Sequence, residues 1–309
     1  MRRLLYIVGI LLTLIIGAIL QYHYCCNCED SCPADEKNVV EEMPLPPPTP
    51  KAFALKGFTF STDQFSVSHP ENYLFTEDSY EFHQPLGENF ISAINAAKAH
   101  FDAHPAKIMN IVGHYATSET NNSVFPTLGL ARANAVKNHL VSLGYPAKQL
   151  VVSDALIEEL PQGEGFKHEL IAYSVADINP EEDKSKLAEL EAFATDIKKN
   201  PIRLYFQTGE SQINLSAEER TKIQQLNNYV AHFEEACILV IGNTDNVGKR
   251  VANLKLGQER ADFVKDYLVK NNFDTKYIEA ISYGPDKPIE SNKTDEGRSL
   301  NRRVEITLK

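Results

Sequence analysis

The chain has 309 residues, of which 43% are hydrophobic and 24% charged, so its length and composition suit about two ordinary globular domains. Its net charge of -11 argues against a nucleic-acid-binding protein, because such proteins normally carry a basic surface that neutralises phosphates. Four of the five cysteines lie within residues 25–32, so the rest of the chain does not depend on a disulfide framework.

The first elements in chain order are a charged N-terminus and an apolar run. Residues 4–20 carry no charge and follow two arginines, a pattern that predicts a short transmembrane helix with a cytoplasmic N-terminus and an exported remainder. We therefore expect an anchor over residues 1–24, with residues 4–20 in the lipid bilayer of the inner membrane. A cleaved signal and a lipoprotein remain as alternatives, which would leave the protein in the periplasm or the outer membrane.

Residues 25–51 are expected to form a linker. A cysteine cluster is followed by a proline-rich stretch that cannot pack a core and is typical of a semi-rigid spacer. On the exported side of a membrane, disulfides within or between chains are favoured over a metal site, and a third reading is that the cysteines do nothing specific. The cluster comprises Cys25, Cys26, Cys28 and Cys32.

Residues 52–176 show the alternation of strands and helices that is typical of a folded domain. An apolar strand ends at Gly113, and a helix ends at a glycine after Leu143. The predicted elements are a strand over 108–112, a helix to about 143, and strands over 150–153 and 169–175. A connecting helix is then expected over residues 177–200, because Pro180 suits a first helical position and an apolar stripe follows it.

Residues 201–309 predict the order β-α-β-α-β-β. Ser216 and Glu219 form the pattern of a helix capping box. A buried-strand pattern covers residues 237–241, a second helix is expected from about 251 to 270, and alternation at Val304, Ile306 and Leu308 predicts the last strand. Strands alternating with helices indicate a sheet covered by helices, and hence an α+β fold with a mixed sheet.

Opposite charges are expected to meet after the 237–241 strand. Asp245 lies in the loop after this strand, where ligands tend to bind, and Arg260 lies on the following helix. A carboxylate beside a guanidinium suits a zwitterionic ligand, since the one accepts from an ammonium and the other holds a carboxylate. The alternative is that Asp245 and Arg260 form an ion pair that serves only the fold.

A wider set of motifs resembles the OmpA-like C-terminal domain family. The motifs are Gly242-Asn243-Thr244-Asp245-Asn246-Val247-Gly248, Arg260-Ala261, Ser282-Tyr283-Gly284 and Asn301-Arg302-Arg303-Val304-Glu305. The resemblance implies non-covalent binding of peptidoglycan through the diaminopimelate of its peptide stem. It assigns the ligand contacts to Asp245 and Arg260, further pocket positions to Thr244, Asn253 and Leu256, and a basic pair near the last strand to Arg302 and Arg303.

The 52–176 segment repeats part of this pattern. Leu128 follows Gly113 by 15 residues and Leu256 follows Gly242 by 14, with Arg132 at the position of Arg260. Ala116 stands in place of Asp245. Glu119 could in principle supply the missing carboxylate, but nothing in the pattern places it in the site. We therefore expect a degenerate OmpA-like domain that does not bind peptidoglycan and instead forms a homodimer, contacts an envelope partner or acts as a spacer.

The sequence thus predicts two tandem OmpA-like domains behind one transmembrane helix. The expected function is a non-enzymatic tether between a membrane and the cell wall, with peptidoglycan as partner and no nucleic acid, cofactor or metal. A scaffold in a secretion or motility machine, fixed in place by wall binding, is the alternative. No nucleophile–base pair, metal-ligand spacing or paired acidic set in the expected domains favours an enzyme.

Overall fold

The computed structural model describes residues 57–62, 65–160, 167–205, 213–233 and 235–309. The expected membrane segment, cysteine cluster and proline-rich spacer lie outside these residues. In the part of the chain that is described, no helix combines the length and apolarity that crossing a bilayer requires. Residues 50–309 form a single compact unit.

The first half of this unit is built on a three-stranded sheet in which β4 is the central strand. It runs parallel to β5 and antiparallel to β7, while β1 pairs with β2 and β3 with β6 in two small antiparallel sheets. The strands predicted over 108–112, 150–153 and 169–175 and the helix ending near 143 are confirmed. The bounds are β1 Phe58–Ser61, β2 Ser66–His69, β3 Leu74–Thr76, α1 Glu88–Ala103, β4 Lys107–Ala116, α2 Leu128–Ser142, β5 Leu150–Ile157, β6 Lys167–Glu169 and β7 Ile171–Asp177.

An aromatic core joins α1 to this sheet. Apolar residues of α1 recur at helical spacing and are fully buried, so the helix presents one face to the sheet. Phe58 lies edge-to-face against Tyr173 at a centroid distance of 4.8 Å and against Phe90 at 5.7 Å. Such pairs add to the stabilisation by apolar burial, and they fix the hairpin of β1 and β2 over the sheet.

The second half is a mixed four-stranded sheet with the order β10-β9-β11-β8. The central strand β9 runs parallel to β10 and antiparallel to β11. The α+β class is confirmed, but the polar loop expected before the last strand contains a short helix, α6, which begins at the N-cap Thr294. The bounds are α3 Pro180–Lys199, β8 Ile202–Tyr205, α4 Ala217–His232, β9 Ile238–Asn243, α5 Arg250–Lys270, β10 Ile278–Gly284, α6 Asp295–Asn301 and β11 Arg303–Leu308.

Two helix starts follow the local rules that predicted them. The Ser216 hydroxyl accepts from the backbone N–H of Glu219 at 3.2 Å, and the Glu219 carboxylate accepts from the backbone N–H of Ser216 at 2.7 Å. These reciprocal bonds form the predicted capping box of α4 and satisfy two donors that the helix leaves open. At the start of α3, the Asn179 side chain accepts from the backbone N–H of Glu181 at 3.2 Å, and Pro180 lies in the first turn.

A second hydrophobic cluster joins the two halves. Val124, Phe125, Leu128 and Ala131 of the first half belong to the same buried cluster as the strands of the second sheet. The ring of Phe125 stacks on that of Phe273 at a centroid distance of 5.9 Å. The connecting helix α3 adds Phe193, Ala194 and Ile197 to this cluster, which confirms that it docks on a folded domain.

In each half a glycine pair lets a helix approach the central strand closely. A Cβ atom on Gly242 of β9 would lie 1.8 Å from the carbonyl oxygen of Gly257 on α5. A Cβ atom on Gly113 of β4 would lie 1.9 Å from the carbonyl oxygen of Gly129 on α2. Only glycine fits at both strand positions. The close approach of helix and strand sets the position of the arginine that lies about one turn further along each helix, Arg260 on α5 and Arg132 on α2.

Candidate functional site

The candidate site lies where β9 ends, beside the start of α5 and the junction of α6 with β11. The backbone N–H of Thr244 donates to the carbonyl of Gly284 at 2.8 Å, which ties the loop after β9 to the end of β10. The Asp245 carboxylate accepts from the backbone N–H of Val247 at 3.1 Å. This bond closes a local turn that holds the carboxylate in place.

The side chains of Asn253 and Thr244 donate hydrogen bonds to backbone carbonyls of the loop after β9. The buried Asn253 amide donates to the carbonyl oxygens of Asp245 at 3.2 Å and Val247 at 3.0 Å. The hydroxyl of the buried Thr244 donates to the carbonyl of Asp245 at 2.9 Å. Both residues were predicted at the pocket, and the structure places them as supports of the Asp245 loop.

Asp245 forms its ion pair with Arg302. The distance from Arg302 Nη1 to Asp245 Oδ2 is 2.9 Å, and the two side chains are 28% and 15% exposed. The sequence had raised a pair between Asp245 and Arg260, and the structure adds Arg302, which directly precedes the last strand, as a partner of the Asp245 carboxylate. Arg302 Nε is buried and has no hydrogen-bond partner among the described residues.

Arg260 completes the charged group from α5. Its Nη1 donates to the carbonyl of Asn243 at 3.5 Å. Burial lowers the pKa of Arg260, the nearby Arg302 cation lowers it further, and Asp245 acts in the opposite direction. Asp245, Arg260 and Arg302 are therefore within electrostatic reach of one another, and two cations beside one anion favour a ligand that brings a carboxylate.

Four apolar side chains are exposed on the elements that carry or adjoin the charged group. Leu256, which the resemblance placed at the pocket, is exposed on α5. Val247, Val251 and Tyr283 are exposed on the neighbouring loop, helix and strand. The site thus offers charged groups to a polar ligand and apolar surface to its aliphatic part.

Arg303 lies elsewhere, although it was expected to pair with Arg302 at the ligand. Its side chain is buried, and its Nε donates to Glu305 Oε1 at 2.9 Å. Its Nη2 donates to the carbonyl of Lys287 at 3.1 Å. The expected basic pair therefore divides into Arg302, which contacts Asp245, and Arg303, which holds the loop before α6.

Asn301 is a supporting residue for which the sequence gave no role. It is fully buried, and its Oδ1 accepts from the backbone N–H groups of Ile289 at 2.9 Å and Glu290 at 3.1 Å. Its amide nitrogen donates to the Glu290 carbonyl at 2.8 Å. The only sequence signal was its place beside Arg302 in the final motif. These bonds fix the loop that leads into α6 and hence the position of Arg302.

In the first half, the end of β4 is closed by an internal ion pair. Arg132 on α2 donates to Glu119 through Nη1 at 3.0 Å and Nη2 at 2.5 Å, and both side chains are 0% exposed. Arg132 also donates to the carbonyls of His114 and Ser79, each at 2.9 Å. The sequence allowed that Glu119 could substitute for the missing carboxylate without placing it here, and the structure shows that Glu119 does pair with Arg132.

The Glu119 carboxylate is held in its charged form. Burial by itself would raise its pKa, but hydrogen bonds from Arg132 and from the backbone N–H groups of Ala116 and Asp78, together with the Arg132 charge, lower the pKa overall. The first half thus fills its own arginine site with a carboxylate from the same chain. No cluster of three or more potential metal-binding side chains occurs among the described residues.

Comparison with known proteins agrees with this geometry. Residues 205–302 match the model of the OmpA family. Outer membrane protein A of Bordetella avium is 40% identical over 94 residues, which is 30% of this chain and 48% of that protein. The peptidoglycan-binding protein ArfA of Mycobacterium tuberculosis is 41% identical over 85 residues, which is 26% of each chain.

The match is confined to this part of each protein. The chain spans between 26% and 48% of the length of these curated relatives. A crystal structure of the peptidoglycan-associated lipoprotein from Burkholderia pseudomallei is 28% identical and covers 35% of this chain and 89% of that one, with a TM-score of 0.31. From the family match and the site motifs, residues 205–302 form a domain of the OmpA family.

Proposed function

We propose that this chain is a non-enzymatic tether that binds peptidoglycan through its OmpA-family domain and joins a membrane to the cell wall. The observation that carries the proposal is the grouping of Asp245, Arg260 and Arg302 at the end of β9. A relative of this domain is named for peptidoglycan binding. We further propose that the ligand is the diaminopimelate of the peptide stem.

The charges suit such a zwitterion. A carboxylate has about four acceptor positions, and Asp245 uses two of them for Val247 and Arg302, which leaves room for a ligand ammonium. The guanidinium of Arg260 offers a planar fork to a ligand carboxylate. Because the wall is a polymer, many weak contacts together give firm attachment.

We also propose that residues 52–176 are a degenerate second copy of the fold. The support is that β4 and β9 have the same arrangement of parallel and antiparallel neighbours and the same glycine crossing. Arg132 has the position in this copy that Arg260 has in the other, but its guanidinium is already paired with the carboxylate of Glu119. We infer that this copy does not bind peptidoglycan, which favours a role as a scaffold in a secretion or motility machine as the second candidate.

The rest of the proposed organisation follows the sequence. Residues 1–24 anchor the protein in the inner membrane through residues 4–20, residues 25–51 form the spacer, and residues 177–200 connect the two copies. The folded part then lies in the periplasm. A homodimer or an envelope partner bound through residues 52–176 belongs to the scaffold alternative.

The test is co-sedimentation of the full chain with purified diaminopimelate-type peptidoglycan. The full chain is used because residues 201–309 share their core with the first half. We expect Asp245→Ala and Arg260→Ala to stay in solution, while Lys255→Ala, which removes an exposed charge from the same helix, pellets like the parent. A parent that does not pellet, or variants that pellet normally, would reject wall binding at this site.

If wall binding fails, the scaffold candidate is tested by itself. The full chain would be cross-linked in cells and its partners compared with those of an Arg132→Met variant, which loses the buried ion pair in the first half. A partner that is recovered repeatedly and lost in the variant supports the scaffold. No specific partner in repeated experiments rejects it.

A further inference from the structure

A cavity of about 440 Å³ lies between the two halves, and we name it the inter-half cleft. It is bounded by the start of β5 on one side and by α3 and α4 on the other. Such a volume lies in the range of sites that hold small molecules. The site at Asp245 does not use the cleft, because the two have no lining residue in common.

A buried lysine lines the cleft. Lys137 of α2 is only 6% exposed, and no hydrogen bond or ion pair to its ammonium is found among the described residues. Burial lowers the pKa of Lys137 to about 8. At neutral pH the side chain still carries most of its charge, and a buried charge without an acceptor is costly unless a ligand pairs with it.

Further basic groups converge on the same cleft. Lys148, Lys186 and His232 line it together with a single carboxylate, that of Glu189. Burial lowers the pKa of His232, and the charges of Lys137 and Lys186 lower it further, against the opposing effect of Asp183. Lys137 and Lys186 are therefore both close to His232, and three lysines beside one carboxylate give the lining of the cleft a net positive charge that attracts anions.

Apolar side chains line much of the rest of the cleft, beside the amides of Gln225 and Asn228 on α4. Leu150 and Val152 contribute from β5, and Leu190 and Phe193 contribute from α3. An occupant with only a charged group would leave this surface in contact with water. The walls favour a ligand in which a short apolar body follows the anionic group.

We propose that the inter-half cleft binds a small organic anion, a carboxylate or a phosphate ester, whose charged group pairs with the ammonium of Lys137 and whose aliphatic body contacts Leu190 and Phe193. Because α2 belongs to the first half and α3 and α4 to the second, the ligand contacts both halves at once. Its binding stabilises their packing by mass action.

The experiment is a calorimetric titration of the purified full chain at neutral pH with three probes. Hexanoate and hexyl phosphate share an aliphatic tail but differ in their head group, and inorganic phosphate has no tail. We expect saturable binding of at least one tailed probe with one ligand per chain, and weaker binding of inorganic phosphate. The tailed probe that binds more tightly identifies the head group that the cleft prefers.

Three variants decide whether the signal comes from this site. Lys137→Met removes a buried charge, so it is expected to fold, and it should weaken the tailed probe by about ten-fold or more. Ala231→Trp fills the cleft from α4 without altering Lys137 and should also abolish binding. Lys255→Met removes an exposed charge on α5 and should leave the affinity unchanged.

The outcomes are decisive in both directions. Loss of binding in the Lys137 and Ala231 variants, each with an unchanged circular dichroism spectrum, supports the proposal. Absence of saturable binding by every probe in the parent overturns it. Equal affinity in the parent and the folded Lys137→Met variant also overturns it, since the anion would then bind elsewhere.

Discussion

Replacing Glu119 with glutamine tests whether the first half is stabilised by the carboxylate that fills its arginine site. Glutamine keeps the shape of the side chain but removes the charge that faces Arg132. Glu119 and Arg132 are both 0% exposed and are joined by two hydrogen bonds of 3.0 and 2.5 Å. Glu119 also accepts from the backbone N–H of Ala116 at 2.9 Å.

The expected loss of stability follows from this burial. Removing one partner of a buried ion pair costs about 3–5 kcal/mol, because it leaves a charge without compensation. Glutamine retains one acceptor oxygen, and Arg132 keeps its hydrogen bonds to the carbonyls of His114 and Ser79. The loss of stability should therefore lie at the lower end of this range. The new amide donor also faces donors of Arg132 or Ala116. We therefore expect Glu119→Gln to lower the free energy of unfolding by about 3 kcal/mol.

Urea denaturation of the full chain, followed by circular dichroism, measures this loss. The matched control is Glu279→Gln, which removes a carboxylate from an exposed pair with Lys309 and should change stability by less than about 1 kcal/mol. If Glu119→Gln loses no more than the control, the buried pair does not stabilise the first half. The account of why this site is closed to ligands would then be wrong.

The pH dependence gives an independent check. The folded-state pKa of Glu119 lies below its ordinary value because hydrogen bonds and the Arg132 charge outweigh burial. The stabilisation is therefore fully present above about pH 4.3 and is lost as the pH falls through the folded-state pKa. We expect the stability difference between the parent and Glu119→Gln to shrink in acid, and a difference that grows there would contradict the assignment.

Three further changes are predicted. Gly242→Ala forces a Cβ atom against the carbonyl of Gly257, so it should lower the free energy of unfolding by about 3 kcal/mol and reduce co-sedimentation with peptidoglycan. Asn301→Ala leaves the backbone donors of Ile289 and Glu290 without their acceptor, and urea denaturation should show a loss of about 2 kcal/mol. The pKa of Lys137 falls from 10.5 to about 8 on folding, so the parent should gain stability from pH 8 to 10 relative to Lys137→Met.

Local patterns in the sequence predicted most of the second half. The capping box at Ser216 and Glu219 depends on residues three positions apart, and alternation along the last strand depends on neighbours. The helix Glu88–Ala103 was not predicted, although Phe90, Ile94 and Ala97 recur on one face and periodicity could have found it. Such features depend on short-range physics, which the sequence displays directly.

The side-chain contacts at the two arginine sites could not be predicted from such local patterns. Arg302 and Arg303 are adjacent, yet one contacts Asp245 and the other contacts Glu305. The comparison of the two sequence patterns aligned Ala116 with Asp245. In the structure, the carboxylate that pairs with Arg132 belongs to Glu119, three residues further along the loop. A sequence motif shows which residues are present, but the path of the backbone at the end of each strand or helix determines which side chains come into contact.

The two halves place an arginine at the end of a central strand in different surroundings. In each, a strand glycine admits a helix whose arginine reaches the strand end. In the first half the chain itself supplies the carboxylate to Arg132, and the pair is 0% exposed. In the second half Asp245 engages Arg302 from a partly exposed position, so Arg260 adds a second cation to the group. An arginine at the end of a strand is therefore not by itself evidence of a binding site, because the chain can supply its counter-charge, as Glu119 does for Arg132.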